Sequence, residues 1–233
     1  TIGITDDVTG TSLPDDLSYK ALETGIVNCK FWGLGSDGTV GANKSACKII
    51  GDHTPLNVQA YFEYDSKKSG GTTISHLRFG KSAILSTYLV READYIACHN
   101  KSFLNHYDLA DGLKPGGIFV LNCDFTPGNI GDELPGGIKR CLASNNARFY
   151  IIDAEKIASE IGLGNRINMI MQAAFFKLAG IIPIDDAVRF LKESIVKAYG
   201  KKGQSIVDMN YAAVDRGIDS LVSVPVPPEW AQA

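Results

Sequence analysis

The chain has 233 residues, 45% of them hydrophobic, and a formal net charge of −3; that is enough to bury a sizeable core as one large domain or two small ones. The mild acidity gives no general pull toward nucleic acid or an anionic membrane, and no apolar run is long enough to span a bilayer, so neither is expected as a partner. The five cysteines (Cys29, Cys47, Cys98, Cys123 and Cys141) form no C-x-x-C pair, and the four histidines show no ligand spacing, so no metal site is expected and the thiols read as reduced core residues of a cytoplasmic protein.

Residues 1–25 have no clear period and read as an N-terminal arm or linker. The opening TIGITDDVTG is polar without a basic start, which predicts no secretory leader, and the missing initiator Met predicts a processed chain or an excised domain. From residue 26 strand and helix patterns alternate. Strands are expected at 27–32, 58–64, 73–79, 95–98, 117–122 and 149–152, and helices at 39–50, 103–113, 138–143 and from 154. After Gly164 the pattern turns helical, at 167–178, 184–199 and 204–221, the first of these apolar throughout and therefore buried. Residues 222–233 are proline-rich and read as a C-terminal linker. The alternation predicts an α/β domain over 26–221. Its expected architecture is three-layer α/β/α: a mostly parallel sheet with helices on both faces and a helical C-terminal part. Ligands of such sheets bind outside the carboxyl ends of the strands.

The strongest chemical signal is CKFWGLGSDGTVGANK, residues 29–44. A buried strand runs into the turn Gly33-Leu34-Gly35-Ser36-Asp37-Gly38, and Thr39 is placed to cap the helix that follows. Glycines let backbone approach a ligand closely, and a helix N-terminus presents free N–H groups, so the segment reads as an anion seat. The spacing Gly33-x-Gly35-x-x-Gly38 fits the dinucleotide fingerprint; it also fits a tight turn that binds nothing. A second loop, Asp65–Gly71, follows the next strand and sets Ser66, Lys67, Lys68 and Ser69 beside a Gly-Gly hinge, a set suited to phosphates. Glu63 or Asp65 can serve as the acid that holds a ribose, while the two lysines favour an extra phosphate and hence NADP or coenzyme A over NAD.

Asn165-Arg166 precedes the apolar helix, where Asn165 can cap it and Arg166 can clasp a phosphate; a cap and a surface arginine are the alternative. His99-Asn100 ends a buried strand, from which it could face the same cleft, but a structural role is favoured. Ser36-Asp37-Gly38 differs from the Gly-Asp-Gly start of a thiamine-diphosphate motif, and no paired Asn follows, so that site is not expected. No Ser/His/Asp or Cys/His set is defensible from spacing, and no catalytic residue is assigned.

The runs FWGLGSDGTVGANK, YDSKKSGGTTISHLRFG and GNRINMIMQAAFF resemble the third, gamma-type domain of the pyruvate:ferredoxin/flavodoxin oxidoreductase family, and TDDVTGTSLP and VPVPPEW resemble its flanking linkers. The resemblance implies one domain or subunit of an enzyme that oxidatively decarboxylates pyruvate to acetyl-CoA and CO2 and passes electrons to ferredoxin or flavodoxin. It places thiamine diphosphate, Mg and the iron–sulfur clusters in other domains, leaving this chain inactive alone, with coenzyme A bound here. Carried over, Gly35, Ser36, Asp37, Gly38 and Thr39 line the phosphate seat. Lys67, Lys68, Ser69 and Arg166 hold phosphates, with Asn165 beside them. An NADP-binding Rossmann-type reductase domain is the alternative, and a non-binding scaffold that docks neighbouring domains is a third reading.

Overall fold

The computed structural model describes residues 2, 4, 6–14, 25–65, 70–85 and 89–233. Within them lies one seven-stranded sheet. Its strands are β1 (Ile26–Leu34), β2 (Asn57–Tyr64), β3 (Thr72–Gly80), β4 (Ala93–Cys98), β5 (Leu113–Asn122), β6 (Arg148–Ile152) and β7 (Val222–Val224). The spatial order is β2-β3-β1-β4-β5-β6-β7. β1, β4, β5 and β6 pair in parallel, β3 is antiparallel to both β1 and β2, and β7 is antiparallel to β6. β2 therefore points the same way as β1, and five of the seven strands share one direction. The expected mostly parallel sheet is present, with β3 inserted by a hairpin-type return from β2.

Alternation along β1 sends Cys29 and Phe31 to one face and Trp32 to the other, and each face carries its own apolar core. On the Phe31 face pack α1 (Thr39–His53), α4 (Ala154–Glu160), α5 (Asn168–Ala179), α6 (Ile184–Tyr199) and α7 (Gln204–Asp219). On the Trp32 face lie the shorter α2 (Ile130–Glu133) and α3 (Gly136–Ser144), with a 3₁₀ turn at Lys101–Asn105. This is the three-layer α/β/α arrangement, with its helical weight on one side.

α5 sits at the centre of the heavier layer. Met169 to Phe176 are all buried, because the helix is covered by the sheet below and by α7 beside it. Phe175 meets Phe31 and Tyr95 edge-on, with both ring centroids 5.2 Å away; burying a ring of this size is worth about 1.5–3 kcal/mol. Gly217 of α7 allows the close crossing, since a Cβ there would stand 2.5 Å from the Ile170 carbonyl oxygen.

Four local expectations are corrected. No α-helix spans 103–113: the Asn100 side chain accepts from Ser102 N–H and starts the short 3₁₀ turn. The chain then bends to Gly112 (φ 77°), where a Cβ would lie 1.7 Å from the Arg91 carbonyl oxygen. Short polar side chains that bond nearby backbone outcompete a helix here. Thr39 is the first helical residue of α1 and not its cap, which is Gly38. α1 also runs through Gly51 to His53 instead of closing at residue 50. The tail read as a linker supplies β7, with Val224 opposite Phe149 and Val222 opposite Ile151, and Trp230 then packs against Gly131. The Val222-x-Val224 alternation suits an edge strand, and Pro225 and Pro227 end it.

In the arm, Ile2 and Leu13 form an isolated parallel bridge, and Asp6 accepts from the N–H groups of Val8 and Thr9. No helix among the described residues is long and apolar enough to cross a membrane.

Candidate functional site

The shared direction of β1, β2, β4, β5 and β6 brings their carboxyl ends to one edge, where both glycine loops leave the sheet. They touch: Gly35 N–H donates to the Gly71 carbonyl oxygen at 2.7 Å, and a Cβ on Gly35 would stand 3.2 Å from that oxygen. A side chain at 35 would thus press on the neighbouring loop. Between the loops lies a cavity of about 300 Å³ whose wall includes Gly35, Ser36, Gly38, Val40, Gly41, Tyr64, Asp65 and Gly71. Lys67, Lys68 and Ser69, with Ser66, lie outside the described residues.

The turn itself is bound from within. Asp37 accepts Leu34 N–H on Oδ2 at 2.8 Å and Thr39 N–H on Oδ1 at 2.7 Å. The Thr39 hydroxyl lies 2.8 Å from Asp37 Oδ2 and 2.8 Å from His99 Nδ1. Thr39 is fully buried, over Gly33, where an added Cβ would meet its side chain at 2.8 Å. Asp37 and Thr39 therefore face the protein, and their part in any site is to shape the turn. Ser36 (φ 76°) and Gly38 (φ 89°) both take left-handed backbone. For serine this conformation costs energy, of order 1–3 kcal/mol, and persists only where the surroundings enforce it. The N–H groups of Ser36, Gly38, Val40 and Gly41 have no hydrogen-bond partner among the described residues. Four open amides at a helix N-terminus are what an anion needs.

The start of α5 joins this group through Asn168, which a Cβ on Gly38 would approach to 3.2 Å. Asn165 does not cap α5; that position is held by Ile167, without a side-chain cap. Arg166 is exposed and donates from Nε to the Leu163 carbonyl oxygen at 3.1 Å. A second cavity, about 270 Å³, lies behind α1 and includes Gly38, Gly41, Asn168 and Gln172 in its wall. Of the two acids considered for a ribose, Glu63 is engaged elsewhere: its Oε1 lies 2.5 Å from His76 Nε2, on the sheet face opposite α1. Asp65 remains at the cavity.

Sequence reasoning missed the inward bonding of Asp37, the role of the Gly71 carbonyl and the contact with Asn168. The first had a local signal, an Asp two residues before a Thr at a helix start; the other two depend on loops that meet only in three dimensions. The thiols offer no cluster ligand set. Cys29 is fully buried, and burial pushes the Cys47 and Cys98 thiols up to about 12. Among the described residues, no group of three or more His, Cys, Asp or Glu side chains is placed to hold a metal ion.

Comparison with known proteins gives consistent matches. The family model described as pyruvate ferredoxin/flavodoxin oxidoreductase matches residues 28–220. A pyruvate:ferredoxin oxidoreductase of Moorella thermoacetica is 57% identical over 233 residues, which is 100% of this chain and 20% of that protein. The chain thus spans about a fifth of the length of the curated relatives it matches. In structure it is similar to a pyruvate oxidoreductase subunit of Thermotoga maritima, at a TM-score of 0.69 and 19% identity, covering 86% of this chain and 99% of that one. It is also similar to a 2-oxoglutarate:ferredoxin oxidoreductase of Magnetococcus marinus, solved with 2-oxoglutarate, coenzyme A and succinyl-CoA bound. There the TM-score is 0.62 at 23% identity, covering 88% of this chain and 34% of that one. At these identities the two structures speak to the fold.

Proposed function

The chain belongs to the pyruvate ferredoxin/flavodoxin oxidoreductase family, and we propose that it is the coenzyme-A-binding, gamma-type part of a cytoplasmic enzyme that oxidatively decarboxylates pyruvate and reduces ferredoxin or flavodoxin. The domain would span 26–221, with β7 and the tail packed onto it. The observation that carries this reading is the set of open amides on Ser36, Gly38, Val40 and Gly41 beside a cavity of about 300 Å³. Those amides suit the diphosphate of the coenzyme. The stretch between Asp65 and Gly71, both in the cavity wall, carries Lys67, Lys68 and Ser69, suited to its 3′-phosphate, and Asn165 and Arg166 stand near the start of α5, which abuts Gly38. Asp65 lines the same cavity.

The role of this part is anchorage. Holding the nucleotide end of coenzyme A lets binding energy deliver its thiol to the reacting centre. In this reading that centre, with thiamine diphosphate and Mg and the iron–sulfur clusters, belongs to the remainder of the enzyme; the five cysteines here are scattered, three of them buried.

Calorimetric titration tests the proposal. Coenzyme A is expected to bind more tightly than dephospho-coenzyme A or NADP, and the Lys67→Ala/Lys68→Ala variant is expected to lose more affinity for coenzyme A than for the dephospho form. Equal loss for both ligands would remove the 3′-phosphate role, and tightest binding of NADP would overturn the reading itself.

A further inference from the structure

The buried imidazole of His99 meets the glycine turn through a single hydroxyl. Thr39 Oγ1 lies 2.8 Å from Asp37 Oδ2 and 2.8 Å from His99 Nδ1. A hydroxyl has one proton to give and lone pairs to receive with. The Asp37 carboxylate already takes two backbone N–H groups, from Leu34 and Thr39, and is an acceptor. The Thr39 proton therefore goes to Asp37, and the Thr39 oxygen receives from His99. This places the imidazole proton on Nδ1 and leaves Nε2 bare. Nε2 is buried and has no partner among the described residues. A bare acceptor costs less there than an orphaned N–H would.

His99 is itself held firmly. Its N–H donates to the Trp32 carbonyl oxygen at 2.9 Å, and its own carbonyl accepts from Asn122 Nδ2 at 2.9 Å. Its ring stands edge-on to Phe31 with centroids 6.3 Å apart. Burial holds its pKa down to about 4, with the Asp37 charge pulling the other way, so the ring is neutral at neutral pH.

We infer that His99 is a positioning residue for the ligand seat: it fixes the Thr39 hydroxyl, which fixes the Asp37 carboxylate, which ties the Leu34 and Thr39 amides inward. The strained turn at Ser36 and Gly38 is then determined on its inner side, and the amides of Ser36, Gly38, Val40 and Gly41 are left facing the ligand. The ligand part of this inference rests on the coenzyme A reading; the hydrogen-bond chain does not.

Two measurements decide it. Long-range ¹H–¹⁵N correlation of the His99 ring at neutral pH is expected to show a protonated Nδ1 and an unprotonated Nε2, and the opposite tautomer would overturn the chain. Next, His99→Leu removes the donor, whereas His99→Asn sets a carboxamide N–H close to the Nδ1 position. His99→Leu is expected to weaken coenzyme A binding about tenfold, the order of one buried hydrogen bond, and to speed hydrogen exchange at Leu34 and Thr39. His99→Asn is expected to restore most of both. Should His99→Leu fail to fold, His99→Gln, whose amide reaches toward the Nε2 position, takes its place. Equal losses in the Asn variant and its partner would overturn the positioning role and reduce His99 to filling space. If the wild-type chain bound no coenzyme A, the ligand assignment would fall, while the tautomer and the two exchange rates would still decide the chain of bonds.

Discussion

At the carboxyl edge of the sheet, β6 passes into α4 through one residue, Asp153, whereas β1 passes into α1 through four, Gly35 to Gly38. The first junction is closed by side chains. Asp153 accepts from Lys156 N–H at 2.9 Å, and Asn122 Oδ1 takes Ala154 N–H at 2.9 Å. The second holds its carboxylate, Asp37, inside the turn and leaves the next amides of the helix open. Both junctions face the same edge, so the general rule that ligands bind there does not separate them. What separates them is where the amides of the first helical turn find partners. One junction satisfies them with Asp153 and with Asn122 of β5; the other leaves them open, as the proposed ligand seat requires.

The largest expected effect comes from forcing the open junction apart. A Cβ at position 33 would lie 2.8 Å from both Cβ and Oγ1 of Thr39. Gly33→Ala must therefore lift the start of α1 off β1 and break the contact of Thr39 with Asp37 and His99. A loss of about 3 kcal/mol in unfolding free energy is expected, at the upper end for overpacking a core, with coenzyme A binding abolished. Chemical denaturation and titration of the same sample check both; retained binding at reduced stability would show that the seat does not depend on this turn.

Acid sharpens the comparison next. His99 carries a folded-state pKa depressed from 6.5 to about 4 by burial. Its contribution to stability is complete above the unfolded value and is lost as pH falls toward the folded one, because the unfolded chain binds a proton that the native ring refuses. Between pH 6.5 and 4 this residue should cost up to about 1.4 kcal/mol per pH unit. His99→Asn should flatten that part of the stability curve; an unchanged slope would assign it to other groups.

Much of the glycine junction was legible locally. Gly33-x-Gly35-x-x-Gly38 punctuates a strand and a helix, and both lie where the period of apolar residues puts them. The proposed anion seat rests on the same residues. Its inner half was not legible, because His99 reaches Thr39 only through the parallel pairing of β4 with β1, and that neighbour relation is set by topology. The Gly71 contact has the same origin, since β3 returns beside β1 from the far edge. Residues 103–113 misled for the opposite reason: an apolar spacing compatible with a helix was overruled by Asn100 and by the turn at Gly112. The tail misled because proline content masks a short alternating run whose partner, β6, is distant in the chain.

The smallest expected effect is the most direct test of the contrast. Asp153 is an N-cap whose carboxylate satisfies one helical amide. Removing such a cap costs about 1 kcal/mol. Asp153→Ala should therefore lower the melting temperature modestly, since the amide it leaves can turn to water at this exposed position. It should leave coenzyme A affinity unchanged, because the closed junction donates nothing to the seat. A parallel loss of affinity would mean that Asn122, which bonds both Ala154 N–H and the His99 carbonyl oxygen, transmits the disturbance from one junction to the other. The two would then be a single device, held together through His99.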